Sequence, residues 1–309
     1  MVRWPLSARA PLVQWLGGNA ASLRRPPVRR ATIGCALVAS CAAGGLSRAV
    51  DEARLVAVRD NTLCETDDGS LSNGAGQHCF AGTTALGEKR RALVAFDVAG
   101  VVPEGSVILR VTLTLQMSKT IVGGVDVAVH RVVRDWGEGA SDAVGAEGQG
   151  AAAEPGDATW LHTFYPGEFW DAPGGDFDPT SSASIVVGAV GPYVWGSTGR
   201  MVADVQAWLD DPASNFGWIV IADESVIPGA KRFDTRENPD PAVRPALWVE
   251  FQPPCVADWN RDGEVTTLDF LAFLNDWAGG EERADLNGDG TVNTIDFLAF
   301  LNAWSAGCG

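Results

Sequence analysis

Apolar and polar residues alternate in "VTLTLQ" at 111–116, the period of a strand with one face in a core. Short runs rich in Val, Ile and aromatics recur at 91–98, 106–118, 125–136, 183–190, 216–223 and 244–251, with Gly, Pro, Asp and Ser between them. The spacing predicts an all-β domain over 51–252, a β-sandwich or jelly roll. One helix is predicted at 201–211, where Val202, Val205, Trp208 and Leu209 form a stripe and Pro212 follows. The Gly/Ala-rich stretch 137–157 has little apolar content and reads as a mobile loop. "QPP" at 252–254 reads as a stiff linker into a small C-terminal domain, 253–309.

That last domain repeats itself. "DWNRDGEVTTLDFLAFLNDW" (258–277) and "DLNGDGTVNTIDFLAFLNAW" (285–304) agree at fourteen of twenty aligned positions. Each copy places oxygen-bearing residues at positions 1, 3, 5, 7, 9 and 12 of a twelve-residue loop, with Gly at 6 for the turn, which is calcium-loop spacing. The first loop offers Asp258, Asn260, Asp262, the carbonyl of Glu264, Thr266 and Asp269, turning at Gly263. The second offers Asp285, Asn287, Asp289, the carbonyl of Thr291, Asn293 and Asp296, turning at Gly290. Carboxylates crowded in this way repel one another without a cation, so two calcium ions are expected. A helix follows each loop, and Phe270, Leu271, Phe273, Leu274 and Trp277 are expected to pack on Phe297, Leu298, Phe300, Leu301 and Trp304.

Composition and charge narrow the function. The chain has 309 residues, 46% hydrophobic and 20% charged, with a formal net charge of −16. Residues 1–50 hold seven Arg and no acid, so removing those seven positive charges leaves −23. Such a chain does not present a phosphate-neutralising surface, which excludes general nucleic-acid binding. "RRPPVRR" followed by "ATIGCALVASCAAGGL" reads as an export leader too short to span a membrane. Cleavage after Ala49 starts the mature chain at Val50. The rivals are a lipoprotein box, "VASC", which makes Cys41 the lipidated first residue, and a start codon placed upstream of the true signal. An extracellular location is expected.

Four cysteines lie beyond the leader: Cys64, Cys79, Cys255 and Cys308. Three pairings can be drawn, and local closure favours Cys64–Cys79 and Cys255–Cys308.

Candidate ligand residues in the β domain are aromatic and basic. "TWLHTFYPGEFW" (159–170) gathers Trp160, Phe164, Tyr165, Phe169 and Trp170, either a platform for sugar rings or ordinary core. Trp136, Trp195, Trp208 and Trp218 read as core. Arg131, Lys231 and Arg232 are candidates for holding an acidic polysaccharide, since Arg grips a carboxylate bidentately and Lys acts as a point charge. Arg236, next to Glu237, reads as a structural ion pair. Acids such as Glu138, Asp142 and Asp157 are plentiful, but no pair is singled out for glycoside hydrolysis. There is no Ser-His-Asp order, phosphate loop or HExxH motif. The alternatives to a non-catalytic binding module are a polysaccharide lyase or hydrolase, with His162 or Tyr165 as base, and a purely structural surface protein.

Two resemblances add to this reading. "LSNGAG" (71–76), "RRALVAFDV" (90–98), "RDWGEGASDA" (134–143), "GDATW" (156–160), "PGGDF" (173–177), "FGWIVIADES" (216–225) and "KRFDTRE" (231–237) resemble the DNRLRE family, grouped with the CBM96 carbohydrate-binding modules. The resemblance implies a secreted β-sandwich, in some members binding alginate. Residues 255–309 resemble a dockerin of the GC type, the closing "GC" and Cys255 included. That implies anchoring to a cohesin-like or other cell-surface partner. By the resemblance, positions 10 and 11 of each loop face the partner: Thr267 with Leu268, and Thr294 with Ile295. The apolar Leu268 and Ile295 depart from the hydroxyl pairs of well-known dockerins, which points to a partner outside the well-known cohesin types.

Overall fold

The computed structural model describes residues 50–308; the leader, its cleavage site and Cys41 lie outside the described residues. The chain runs through β1 (Asp51–Cys64), β2 (Leu71–Ser72), β3 (His78–Thr83), β4 (Lys89–Phe96), β5 (Val107–Lys119), β6 (Val125–Arg131) and β7 (Ala151–Ala152). It continues through β8 (His162–Phe164), β9 (Glu168–Phe169), β10 (Ala183–Val187), β11 (Gly191–Trp195), helix α1 (Gly199–Asp210), β12 (Trp218–Ala222), β13 (Lys231–Asp234) and β14 (Ala246–Gln252). Helices α2 (Thr267–Gly279) and α3 (Thr294–Ala306) follow. Among the described residues no helix is long and apolar enough to cross a membrane.

The domain is mainly β, with every strand run of the sequence pattern in place. Ten of the strands join one hydrogen-bonded ladder that bends back on itself. Two strands change partners along their length. β1 pairs with β14 through Asp51–Val56 and with β4 through Ala57–Cys64. β3 pairs with β13 at His78–Ala81 and with β4 at Gly82 and Thr83. With β5 joining β13 to β14, the hydrogen bonds close a ring.

The ring has an apolar interior and a second apolar layer outside it. Ala92, Val94 and Phe96 of β4 face the main core with Trp195, Trp208, Trp218 and Phe233. Leu93 and Ala95, pointing the other way, join a second core with Leu63, Trp136, Trp160, Trp170 and Ile219. Burial on both faces explains why "RALVAF" and "WIVIA" are continuous apolar runs rather than alternating ones. Helix α1 starts two residues earlier than predicted, because the Thr198 side chain accepts from the Met201 amide at 3.0 Å and caps it.

The segment 137–157 is not a free loop. The Glu147 carboxylate accepts from the His78 amide at 2.9 Å and from Asn73 Nδ2 at 3.1 Å. Asn73 Oδ1 in turn accepts from the Ala143 amide at 2.9 Å, and Ala151–Ala152 pairs with Leu71–Ser72. Side-chain hydrogen bonds to backbone hold a stretch that has little apolar surface to bury.

Candidate metal and partner site

The two repeats at 258–304 fold into superposable hydrogen-bond patterns. In the first loop Asp258 accepts from the amides of Asp262 and Gly263, both at 3.0 Å. In the second Asp285 accepts from Asp289 at 3.2 Å and Gly290 at 2.7 Å. Asn260 Oδ1 takes the Asp262 amide and Asn287 Oδ1 the Asp289 amide, both at 2.9 Å. Asp262 and Asp289 accept from Glu264 and Thr291, again both at 2.9 Å. Gly263 and Gly290 sit at φ 91° and 82°, in the left-handed region the sharp turn demands.

Position 12 does two jobs. Asp269 is buried; one oxygen accepts from the Asn260 amide at 3.0 Å and the other from Thr266 at 2.7 Å. Asp296 is its counterpart, bonded to Leu286, Asn287 and Asn293. Burial raises the Asp269 carboxyl, but the amides of Asn260 and Thr266 outweigh it and hold the group below the usual carboxylate range. Asp296 is likewise held low, first by the Asn293 amide. Both aspartates also close a capping box at the start of the following helix. Position 9 shares that task. The Thr266 and Asn293 side chains accept from the amides of Leu268 and Ile295, at 3.1 and 2.7 Å.

The donor set fits a hard cation. Each loop gathers three aspartates with Asn and hydroxyl or amide oxygens along twelve residues, with no sulfur or imidazole. Asp258, Asn260, Asp262, Glu264, Thr266 and Asp269 would hold one ion, and Asp285, Asn287, Asp289, Thr291, Asn293 and Asp296 another. A bound cation supplies charge cancellation and fixes the loop that starts each helix.

The repeats share one small core. Phe273 and Phe300 are fully buried and stack with ring centres 4.0 Å apart and planes 5° from parallel. Trp259 packs edge-on against both, at 5.0 and 5.7 Å. Phe270, Phe297, Trp277 and Trp304 pack around this stack. Leu271 and Leu298, expected inside, point outward, at 54% and 57% exposure. With Leu268 at 61% and Ile295 at 58%, they form a matched apolar pair on each helix. The Cys255–Cys308 disulfide joins the two ends, with Cα atoms 5.5 Å apart.

The β-domain candidates do not converge. Lys231 is fully buried; its Nζ donates to Thr120 Oγ1 at 2.8 Å and to the carbonyls of Val122 and Gly123 at 3.2 and 2.6 Å. It is therefore withdrawn from any polysaccharide. Trp160 is part of the second core, with the Arg91 guanidinium over its ring. Tyr165 leans edge-on against His162, 5.0 Å between centres. Arg131 lies 4.0 Å from Asp204, on a different strand from Arg232. Of these candidates Arg232 alone lines a cavity of about 470 Å³, with Lys119, Phe80 and Ile121. Cys64 and Cys79 are both buried free thiols rather than a disulfide. Cys79 packs in the main core, whereas Cys64 abuts Gly150 and takes no part in that core.

Sequence reasoning had no signal for one further cluster. Asp60, Glu138 and Glu237 bring one carboxylate oxygen each within 4.8 Å of one another. Arg236 enters it, donating to Glu138 at 2.6 and 2.5 Å, and its Nε lies 2.9 Å from Glu237 Oε1, the expected ion pair.

Residues 256–303 match the family model of the dockerin type I domain. Dockerin type I domains bind calcium, and the match supports calcium-dependent anchoring to a cohesin partner. Dockerin domains occur in extracellular proteins of cellulosomes. Comparison with curated proteins gives no match.

Proposed function

We propose that this is an extracellular, non-catalytic protein that displays a polysaccharide-binding β domain from a calcium-loaded dockerin. The observation that carries the anchoring half is the pair of exposed apolar faces, Leu268 with Leu271 and Ile295 with Leu298. Each follows a calcium loop directly, and the two are related by the internal repeat. Partner recognition through Thr267, Leu268, Thr294 and Ile295 follows, with one ion in each loop. Apolar side chains at these positions suit a partner surface with an apolar centre.

The binding half rests on the resemblance to the DNRLRE family and on the cavity beside β5 and β13. Lys119 is exposed and has no ion-pair or hydrogen-bond partner among the described residues; Arg232 donates to Ser118 alone, at 3.0 Å. In a chain of net charge −16, two such cations beside Phe80 and Ile121 suit a uronate ring, carboxylate on the cations and C–H face on the apolar floor. Retention on an alginate column tests this. Retention that falls with salt and with Lys119→Ala plus Arg232→Ala supports the reading. Retention untouched by both, or new unsaturated ends in the polymer, would replace it with a different site or with a lyase. For the anchoring half, at least one of a panel of immobilised cohesins of different types should retain the full chain in calcium and release it in chelator; retention by none would remove the cohesin reading.

A further inference from the structure

Asp60, Glu138 and Glu237 come from three distant stretches of chain. Asp60 sits mid-strand in β1, opposite Val94; Glu138 follows β6; Glu237 follows β13. Their hydrogen bonds are unevenly shared. Both Glu138 oxygens are in use, one taking the Asp60 amide at 2.8 Å and Arg236 Nε at 2.6 Å, the other Arg236 Nη2 at 2.5 Å. Asp60 Oδ2 takes the Arg236 amide at 2.8 Å, and Glu237 Oε1 is ion-paired to Arg236 with 2.9 Å to Nε. Two oxygens remain: Asp60 Oδ1 and Glu237 Oε2 are buried and have no partner. The whole Asp60 side chain is out of solvent. Buried polar atoms are nearly always paired, so two orphans in one cluster of like charges require an account.

Charge gives that account. Three carboxylates meet one guanidinium, which leaves an excess of two negative charges. Oxygens within 4.8 Å of one another lie inside the span that a single ion bridges with bonds of roughly 2.3–2.6 Å. We propose that Asp60, Glu237 and Glu138 form a divalent-cation site in the β domain, distinct from the loops at 258–269 and 285–296, taking a hard, oxygen-seeking ion of the calcium class. Asp60 Oδ1 and Glu237 Oε2 are the primary ligands, and Glu138 completes the anionic wall. The Glu138 and Glu237 side chains are 18% and 20% exposed, so the ion enters from their side and Asp60 forms the floor. Burial, and then the Glu237 and Glu138 charges, push the Asp60 carboxyl well up; burial likewise raises Glu237. A cation at this point ties β1 to the segments after β6 and β13, and so stiffens one end of the closed ladder.

The competing occupant is a proton shared by Asp60 and Glu237. The full chain, carrying Asp258→Ala and Asp285→Ala to disable both loops, is stripped with chelator and titrated with calcium in a calorimeter. One calcium per chain is expected, and Glu237→Gln in that background should weaken it at least tenfold. Near-UV circular dichroism of the buried tryptophans checks that the Gln variant is folded. No binding by the loop-disabled chain, or equal binding by its folded Gln variant, overturns the site and leaves the shared proton. Should the Gln variant not fold, the loop-disabled parent decides. Millimolar calcium should raise its β-domain unfolding midpoint, and an unchanged midpoint overturns the proposal.

Discussion

Trp277 donates its indole N–H to the carbonyl of Asn293 at 2.6 Å. Trp304 returns the contact, donating to Thr266 at 3.0 Å. Each acceptor is the ninth residue of the opposite repeat's loop, so the end of one helix braces the metal loop of the other. The repeat is thus a single folding unit written twice.

Trp277→Phe keeps the ring and removes the donor. It should destabilise the C-terminal domain by about 1 kcal/mol. It should also weaken calcium at loop 285–296 more than at 258–269. Trp304→Phe should do the reverse. Calcium titration of loop-specific variants reads this out, and equal weakening of both loops would show that the indole brace is not local.

Phe273→Ala should be far more damaging. Phe273 and Phe300 are fully buried and stacked, and a Phe-to-Ala change in a core costs about 3–5 kcal/mol. A core this small has little to spare, so the expected result is loss of helix signal even in calcium. Retained helicity would mean that Trp259 and the disulfide suffice.

The matched apolar faces predict tolerance of single changes. Leu268→Asp or Ile295→Asp alone should weaken partner capture little, because the repeat allows docking in the other orientation. Both together should abolish it. Complete loss from one substitution, measured on immobilised partner, would show a single fixed orientation.

Cys64 and Cys79 should be invisible to thiol reagents in the folded protein. Burial pushes the Cys64 thiol from 9.0 up to about 11 and raises Cys79 well above its ordinary value. The folded state therefore favours the protonated thiols. Their contribution is intact below the ordinary value and is lost as pH rises from 9.0 through about 11. Labelling of residues 50–309 without reductant should find none in the native state and two after denaturation. None after denaturation would restore the Cys64–Cys79 disulfide.

Much of this was legible in the sequence. The two loop-helix repeats were, because the turn glycines and helix starts lie within twelve residues of each loop's first Asp. Strand β1 was not read as a strand. Its Asp60, Asn61 and Thr62 look like a turn, yet all three are buried and hydrogen-bonded. Lys231 misled for the opposite reason: a lysine usually reaches solvent, and here three oxygens of the segment 120–123 draw it inward. Leu271 was assigned to the core by its apolarity. Which face of α2 is buried is set by the second repeat, and the pattern of one helix does not contain it. The convergence of Asp60, Glu138 and Glu237 depends on where the fold brings β1 against the segments that follow β6 and β13, so no local motif announces it.

The central claim is that calcium and the fold of the C-terminal domain are one event, and that this event is separate from the fold of the β domain. Amide hydrogen exchange of the full chain, followed by mass spectrometry in calcium and in chelator, tests it most directly. Chelator should strip protection from residues 255–308, α2 and α3 included, while the ladder across 51–252 stays protected. Equal protection of α2 and α3 in both conditions would contradict the account.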